Sequence, residues 1–411
     1  MALIVQKYGG TSIAGPERIK RVARRIIETK KRGNKVVIVV SAPGDTTDKL
    51  VETAQQITHS PTDRELDMLL ATGEQMSIAL LAMAINALGE EAVSLTGGQV
   101  GIVTDETFTS AKIKKIDTRK IERELSKNRI VIVAGFQGIT AKRDITTLGR
   151  GGSDLTAVAL ASVLKADQCE VYTDVSGVYS ADPRIVPDAK KIDRISYEEM
   201  LELASLGAQV MVPRSIEVAK KFDVDIHVRS SFEDEEGTVI TKEVSRMEEV
   251  VVSGVAYDKD LVKVVITDVP DRPGIAARIF GALGAENVNV DMIIQSSAAG
   301  GVNDISFTVN RGDLKKTSDI MEKVKGETGA KGLVYDDGVA KVSIVGVGMR
   351  SHSGVASKMF SALAEENINI EMISTSEIKI SCVIKEKDME KAVRAIHRKF
   401  GLAKAARKGG R

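Results

Sequence analysis

The sequence predicts an α/β protein: a largely parallel sheet covered by helices on both faces, an αβα sandwich, followed by two small α+β units. Three observations carry that reading. Apolar strand-like and helix-like runs alternate through the first half. Two glycine-rich turns, Lys7–Ser12 and Gly149–Asp154, each stand between a strand-like and a helix-like run with a charged residue beside the glycines. A segment at 273–293 returns at 353–373.

Leu3, Ile4 and Val5 lead into Lys7 as a first strand. A helix starts near Pro16, since proline suits the first helical position. Ile19, Val22, Ala23, Ile26 and Ile27 then share one face. Val36–Val40 is an unbroken β-branched or apolar run, as a strand buried on both sides requires. Further strands are expected at Ala92–Leu95, Ile130–Val133, Glu170–Tyr172 and Val224–Val228. Helices are expected near Arg64–Leu88, Asp154–Leu164, Tyr197–Leu206 and Pro213–Phe222. Ile130–Val133 reads as the strand leading into the second glycine turn. In parallel sheets ligands bind at the carboxyl ends of strands, where Lys7, Ser41, Thr173 and Asp174 project.

Composition changes at Ser230–Glu249, where Glu233–Gly237 reads as a solvated turn. Beyond it, Gly274/Gly354, Phe280/Phe360, Asn287/Asn367 and Asn289/Asn369 all recur 80 positions apart. A strand, Val262–Thr267 or Val342–Val347, precedes each copy, and a loop, a helix and a second strand follow it. The expected division is a large α/β domain at 1–229, a linker at 230–249, a first unit at 250–337 and a second at 338–411. A strand at 250–257 is available to the second unit.

Lysine plus arginine total 58 against 57 aspartate plus glutamate, and tryptophan is absent. The basic excess and aromatic interleaving of a nucleic-acid binder are therefore missing. The amino terminus reaches Gln6 and Lys7 too soon for a signal peptide, and no membrane span is expected. Cys169 and Cys382 stand far apart, consistent with reduced thiols in the cytoplasm. The four histidines do not cluster, so no protein metal site is expected.

Glycine lets a backbone approach a ligand closely, and a helix start offers free N–H groups and a positive dipole end to an anion. Two such cradles with Lys7 and Arg150 suit several phosphates and a second anion. The P-loop pattern, the protein-kinase catalytic set and a Gly-x-Gly-x-x-Gly are all missing.

With Lys7–Ser12, Val39–Ala42, Gly44–Asp48, Gly73-Glu74, Gly149–Asp154, Thr173–Tyr179 and Asp182–Arg184 in this order, the chain resembles the aspartate kinases of the amino acid kinase superfamily. The repeated units resemble tandem ACT domains of ferredoxin-like build. Pro43 stands where the family commonly has methionine, and Gln209 where it often has a nucleotide-contacting lysine. Arg214 offers a nearby cation in its place.

The resemblance implies transfer of the γ-phosphoryl group of ATP, with Mg²⁺, to the side-chain carboxylate of L-aspartate. That carboxylate titrates near about 4, so it is already ionised at neutral pH and needs no general base. By resemblance Lys7 and Asp154 are catalytic, Asp154 also sitting where a helix N-cap belongs. Arg150 clasps the substrate α-carboxylate, which a bidentate guanidinium suits, and Glu74 receives the α-ammonium. Ser41, Thr47 and Ser153 donate hydroxyls to substrate. Lys7, Tyr8, Gly9, Gly10, Thr173, Asp174, Tyr179 and Arg184 line the nucleotide pocket. Asp271, Gly274, Ile275, Ala276, Asn289, Val290, Asp291 and Gln295 form an effector loop for lysine, threonine or both. The second copy differs there in charge, with Ser351-His352 and Glu371. A homodimer through the ACT units, or assembly with a fragment starting near Met247, is expected. The alternatives are another superfamily enzyme, acting on glutamate, acetylglutamate or a nucleoside monophosphate, and a catalytically silent amino-acid sensor.

Overall fold

The computed structural model describes residues 1–207, 210–242, 244, 251–297 and 301–404. Gln209 and Met247 lie outside the described residues. The chain forms two compact units, the first from residues 1–178, 191–205 and the described part of 209–245. The second takes the remainder, including residues 179–190.

In chain order the first unit runs β1 Leu3–Tyr8, α1 Pro16–Lys31, β2 Lys35–Val40, α2 Thr46–Ile57, α3 Asp63–Ala87, β3 Ala92–Leu95, α4 Gly97–Val100, β4 Ile102–Thr104 and β5 Ile113–Ile116. It continues with α5 Arg119–Ser126, β6 Ile130–Ala134, β7 Gln137–Ile139, β8 Ile145–Thr147, α6 Gly152–Leu164, β9 Gln168–Thr173, β10 Arg194–Ser196, α7 Tyr197–Ser205, α8 Pro213–Phe222, β11 Ile226–Ser230 and β12 Thr238–Thr241. The main sheet has the order β10-β12-β11-β9-β1-β2-β6-β3. Its central pairs, from β11–β9 through β3–β6, are parallel; β11–β12 is antiparallel.

Valines 36, 37, 39 and 40 and Ile38 are all buried in β2, as a strand covered on both faces demands. Beneath one face, α1 contributes Ile19, Val22, Ala23, Ile26 and Ile27, and α3 contributes Ile78, Leu81, Ala82 and Ile85, to a single cluster with the strands. Each such large aliphatic burial is worth about 1.5–3 kcal/mol. The other face is closed by α6, which is buried nearly all round. By length and composition α3 is apolar enough to cross a membrane, yet its inner face forms a wall of this core.

Two local departures from the sequence reading have simple causes. β11 starts two residues late, because Asp223 (φ +56°) and Val224 complete the exit from α8. The second glycine turn follows β8 rather than β6. β7 and β8 form an antiparallel pair in a separate sheet of order β5-β4-β7-β8, and three-residue strands carry too little periodicity to be read.

The second unit holds β13 Gly254–Asp258, β14 Leu261–Pro270, α9 Ile275–Ala285, β15 Val290–Ser297, β16 Val302–Asn310, α10 Leu314–Thr328, β17 Gly332–Asp336, β18 Val339–Val345, α11 Val355–Glu365, β19 Met372–Thr375, β20 Lys379–Lys385 and α12 Met389–Phe400. Two four-stranded antiparallel sheets result, β15-β16-β14-β17 and β13-β18-β20-β19. β13, which precedes the first repeat, occupies in the second sheet the place that β17 takes in the first. The repetition reaches the backbone: Asn287 and Asn367 both take φ +56°, a conformation asparagine tolerates better than most residues. Residues 179–190 fall inside the stretch expected for the catalytic domain. Here Ala181, Ile185, Val186 and Ala189 are core residues of the second repeat, packed with Val255, Val342 and Ile396.

Truncating Ile85, fully buried in the main cluster, to alanine should cost about 2–5 kcal/mol. Urea unfolding checks this as a lower midpoint at unchanged slope.

Candidate active site

β1 ends at the first glycine turn, and alternation sends Lys7 and Tyr8 to opposite faces of the sheet. Lys7, 8% exposed, meets Asp154 as an ion pair, Nζ to Oδ1 2.6 Å. The Tyr8 ring is instead in the core, stacked on Tyr172 with centroids 4.7 Å apart, its hydroxyl donating to Gln6 Oε1 at 3.2 Å. The Tyr8 side chain, expected at the nucleotide, is therefore part of the core and does not line the cavity that Lys7 enters.

Asp154 is not an N-cap. The helix begins at Gly152 with Gly151 as the cap, which puts Asp154 in the first turn. Gly151 takes φ +67°, and a Cβ there would fall 2.1 Å from Val212, so only glycine fits. A carboxylate in the first turn is favoured by the helix dipole.

Glu74 lies on the buried face of α3. Gly73 makes this possible, because a Cβ on it would sit 2.7 Å from Ala42 Cβ. The close approach lets Glu74 Oε1 accept the Ala42 N–H at 2.9 Å. Its other oxygen, Oε2, is buried without a hydrogen-bond partner among the described residues. Burial pushes the Glu74 carboxyl up to about 7, against the opposing pull of the Ala42 N–H.

Lys7, Gly10, Ser41, Thr47, Glu74, Arg150, Ser153 and Asp154 all line one cavity of about 850 Å³. Arg150 is exposed at its rim and Thr47 stands in the first turn of α2. Gly9 sits at the neighbouring strand end, its N–H donating to Tyr172 O at 3.2 Å. Thr173 ends β9 and its hydroxyl donates to the exposed Asp174 at 3.1 Å; neither lines the cavity. Tyr179 and Arg184 belong to the second unit, where the Arg184 guanidinium is engaged by Asp182, at 2.7 Å in the closest contact. Asp182 in turn accepts the Tyr257 hydroxyl at 3.0 Å.

Arg214, the cation expected near Gln209, is tied to backbone. Its guanidinium donates to Leu148 O and Ala111 O, both at 2.6 Å, and so is spent on the loop before Gly149. Sequence reasoning also missed Asp67, Thr109, Phe136 and Thr147. Phe136 lines the cavity at φ +68°, a conformation that costs a bulky residue about 1–3 kcal/mol. Asp67 carried a legible signal, an acid two helical turns before Glu74 on the same apolar face.

In the second unit Asp271, Gly274, Ile275 and Ala276 form the turn from β14 into α9, and Asn289, Val290, Asp291 and Gln295 lie before or along the edge strand β15. The Asp291 carboxylate is ion-paired with Lys341 of the second repeat, and Glu371, its counterpart, with Lys263 of the first. Cys169 and Cys382 are free and buried.

Residues 2–230 match the amino acid kinase family, and 263–328 and 342–400 each match an ACT domain. An aspartate kinase of Stutzerimonas stutzeri is 52% identical over 98% of both chains. An aspartokinase of Pseudomonas aeruginosa is 52% identical over the full length of both. The chain belongs to the aspartate kinase family. Members are ATP-dependent phosphotransferases with a carboxyl acceptor. Among solved structures, E. coli aspartokinase III in complex with aspartate and ADP superimposes with a TM-score of 0.82 at 25% identity, covering 97% of this chain and 99% of that one. The aspartate kinase of Clostridium acetobutylicum gives 0.79 at 26%, covering 97% and 100%.

The raised Glu74 carboxyl has a stability consequence. Below about pH 4.5 the acid is protonated folded or unfolded, and no penalty exists. As pH rises toward 7 the unfolded chain ionises first, and the folded state loses about 3 kcal/mol at about 1.4 kcal/mol per pH unit. Glu74→Gln should therefore unfold at higher urea than the parent at pH 8 and at the same urea at pH 4, both without substrate.

Proposed function

We propose that this chain transfers the γ-phosphoryl group of MgATP to the side-chain carboxylate of L-aspartate, giving 4-phospho-L-aspartate and ADP. The observation that carries the reading is Glu74 Oε2, a buried acceptor with no partner among the described residues, in the cavity that Lys7, Asp154 and Arg150 share. An α-ammonium supplies what that oxygen lacks, and the Arg150 fork at the rim suits the α-carboxylate. The substrate is then held by its α-carbon groups with its side chain directed toward Lys7.

The obstacle to reaction is repulsion between an anionic nucleophile and a polyanionic triphosphate. Lys7 offsets that charge, Asp154 holds the ammonium group in place, and the N-terminus of α6 adds its dipole. Ser41, Thr47 and Ser153 supply hydroxyls that orient the acceptor. The work is positioning and charge neutralisation, as phosphoryl transfer generally requires. Mg²⁺ enters as part of the nucleotide substrate: among the described residues no three acidic, histidine or cysteine side chains converge. The backbone of Tyr8–Gly10, with Thr173 and Asp174 at the next strand end, is the proposed cradle for the nucleotide. The E. coli relative bound to aspartate and ADP supports the substrate pair.

Lysine, threonine or both, bound at the ACT units, act as feedback effectors by favouring a state with a poorer active site. On this reading the reaction is the first step of lysine, threonine and methionine synthesis and runs in the cytoplasm. A homodimer through these units is part of the same reading.

Lys7→Ala should lower kcat about a thousandfold while circular dichroism stays that of the parent. A coupled ADP-release assay with aspartate reads this, and parental turnover would sink the proposal. Adding lysine, threonine and the pair together to the same assay identifies the effector. Rates unmoved by all three would remove the regulatory part.

A further inference from the structure

Asp67 is fully buried on α3, and among the described residues its carboxylate is held by hydrogen bonds alone. The Thr109 N–H donates to both oxygens, at 3.1 and 3.0 Å. The Thr147 N–H donates to Oδ2 at 2.8 Å, and the Thr147 hydroxyl to Oδ1 at 2.6 Å. Burying a carboxylate without a counter-charge is costly, and these four contacts are what offset it. Thr147 is the last residue of β8 and stands three positions before Arg150.

A second grip closes the arrangement. Ala111 N donates to Thr147 O at 2.9 Å, while Arg214 holds both Ala111 O and Leu148 O. The backbone entering the Arg150 turn is thereby fastened at consecutive residues, to α3 by Asp67 and to α8 by Arg214. Glu74 sits seven residues after Asp67 on that same helix, about 10.5 Å along the axis. One rigid rod carries both the acceptor for the α-ammonium and the anchor of the loop that presents the α-carboxylate fork.

We infer that Asp67 is a positioning residue for aspartate recognition, acting through Arg150 by fixing the 147–150 turn to the helix that bears Glu74. The inference rests on the roles proposed above for Arg150 and Glu74. Asp67 touches no substrate itself. Its amide analogue would turn an N–H toward one of the three donors and unfasten the turn.

Asp67→Asn should raise KM for aspartate about tenfold or more, with kcat and KM for ATP within about threefold of the parent. In an Arg150→Ala background the same substitution should add almost nothing, because the group it positions is gone. Equal rises in both KM values, additive losses in the double variant, or a parental aspartate KM would each overturn the inference. Should Asp67→Asn fail to fold, Thr147→Val removes only the hydroxyl donor. It should raise aspartate KM about threefold, Thr147→Ser should restore it, and a parental value in Thr147→Val would count against the assignment. Arg150→Ala alone tests the underlying reading: an unchanged aspartate KM there refutes the role of Arg150 irrespective of Asp67.

Discussion

The ion pair between Lys7 and Asp154, 2.6 Å across, joins the ends of two elements far apart in sequence, β1 and α6. Neither group is well solvated, so each depends on the other for its charge to be tolerable in that setting. Everything else in the cavity is arranged around this pair. Gly151 sets the register at which α6 starts, and thereby where Asp154 points. Gly73 sets the depth of α3, and thereby where Glu74 ends. Opposite charges are concentrated in a space of about 850 Å³, which suits a reaction whose partners repel.

Much of the architecture was legible because long, strongly patterned elements were involved. The apolar run at Val36–Val40, the face of α1 and the start at Pro16 all followed from side-chain period and capping rules. Lys7, Glu74, Arg150 and Asp154 stood out as charges in apolar or glycine-rich surroundings, and the structure gathers them on one cavity. The failures were of another kind. β7 and β8 are too short to show a period, so the turn before Arg150 was traced to the wrong strand. Asp154 was placed at the cap because a glycine in the left-handed region, not a side chain, ends the preceding loop. Phe136 and Thr109 had no signal at all, since only tertiary packing brings their loops to the cavity.

Tyr8 shows how a motif can mislead. It stands next to the glycines of the first turn, yet as the last residue of β1 it sends its ring into the core, against Tyr172. The likeness of a segment to a family's motif does not assign each side chain in it. Arg214 makes the same point, since its guanidinium is held by two backbone carbonyls.

The second sheet also has a temporal side. Gly254 of β13 pairs with Val345 of β18, and the whole first repeat lies between them. During synthesis β13 leaves the ribosome long before its neighbour exists, and closing so long a loop carries an entropic cost that only later pairing recovers. The inner repeat, whose strands all lie within its own span, is able to fold first and bring the ends of the outer one together. Assembly of the carboxyl-terminal half is thus nested rather than sequential, and non-local pairing of this sort slows folding.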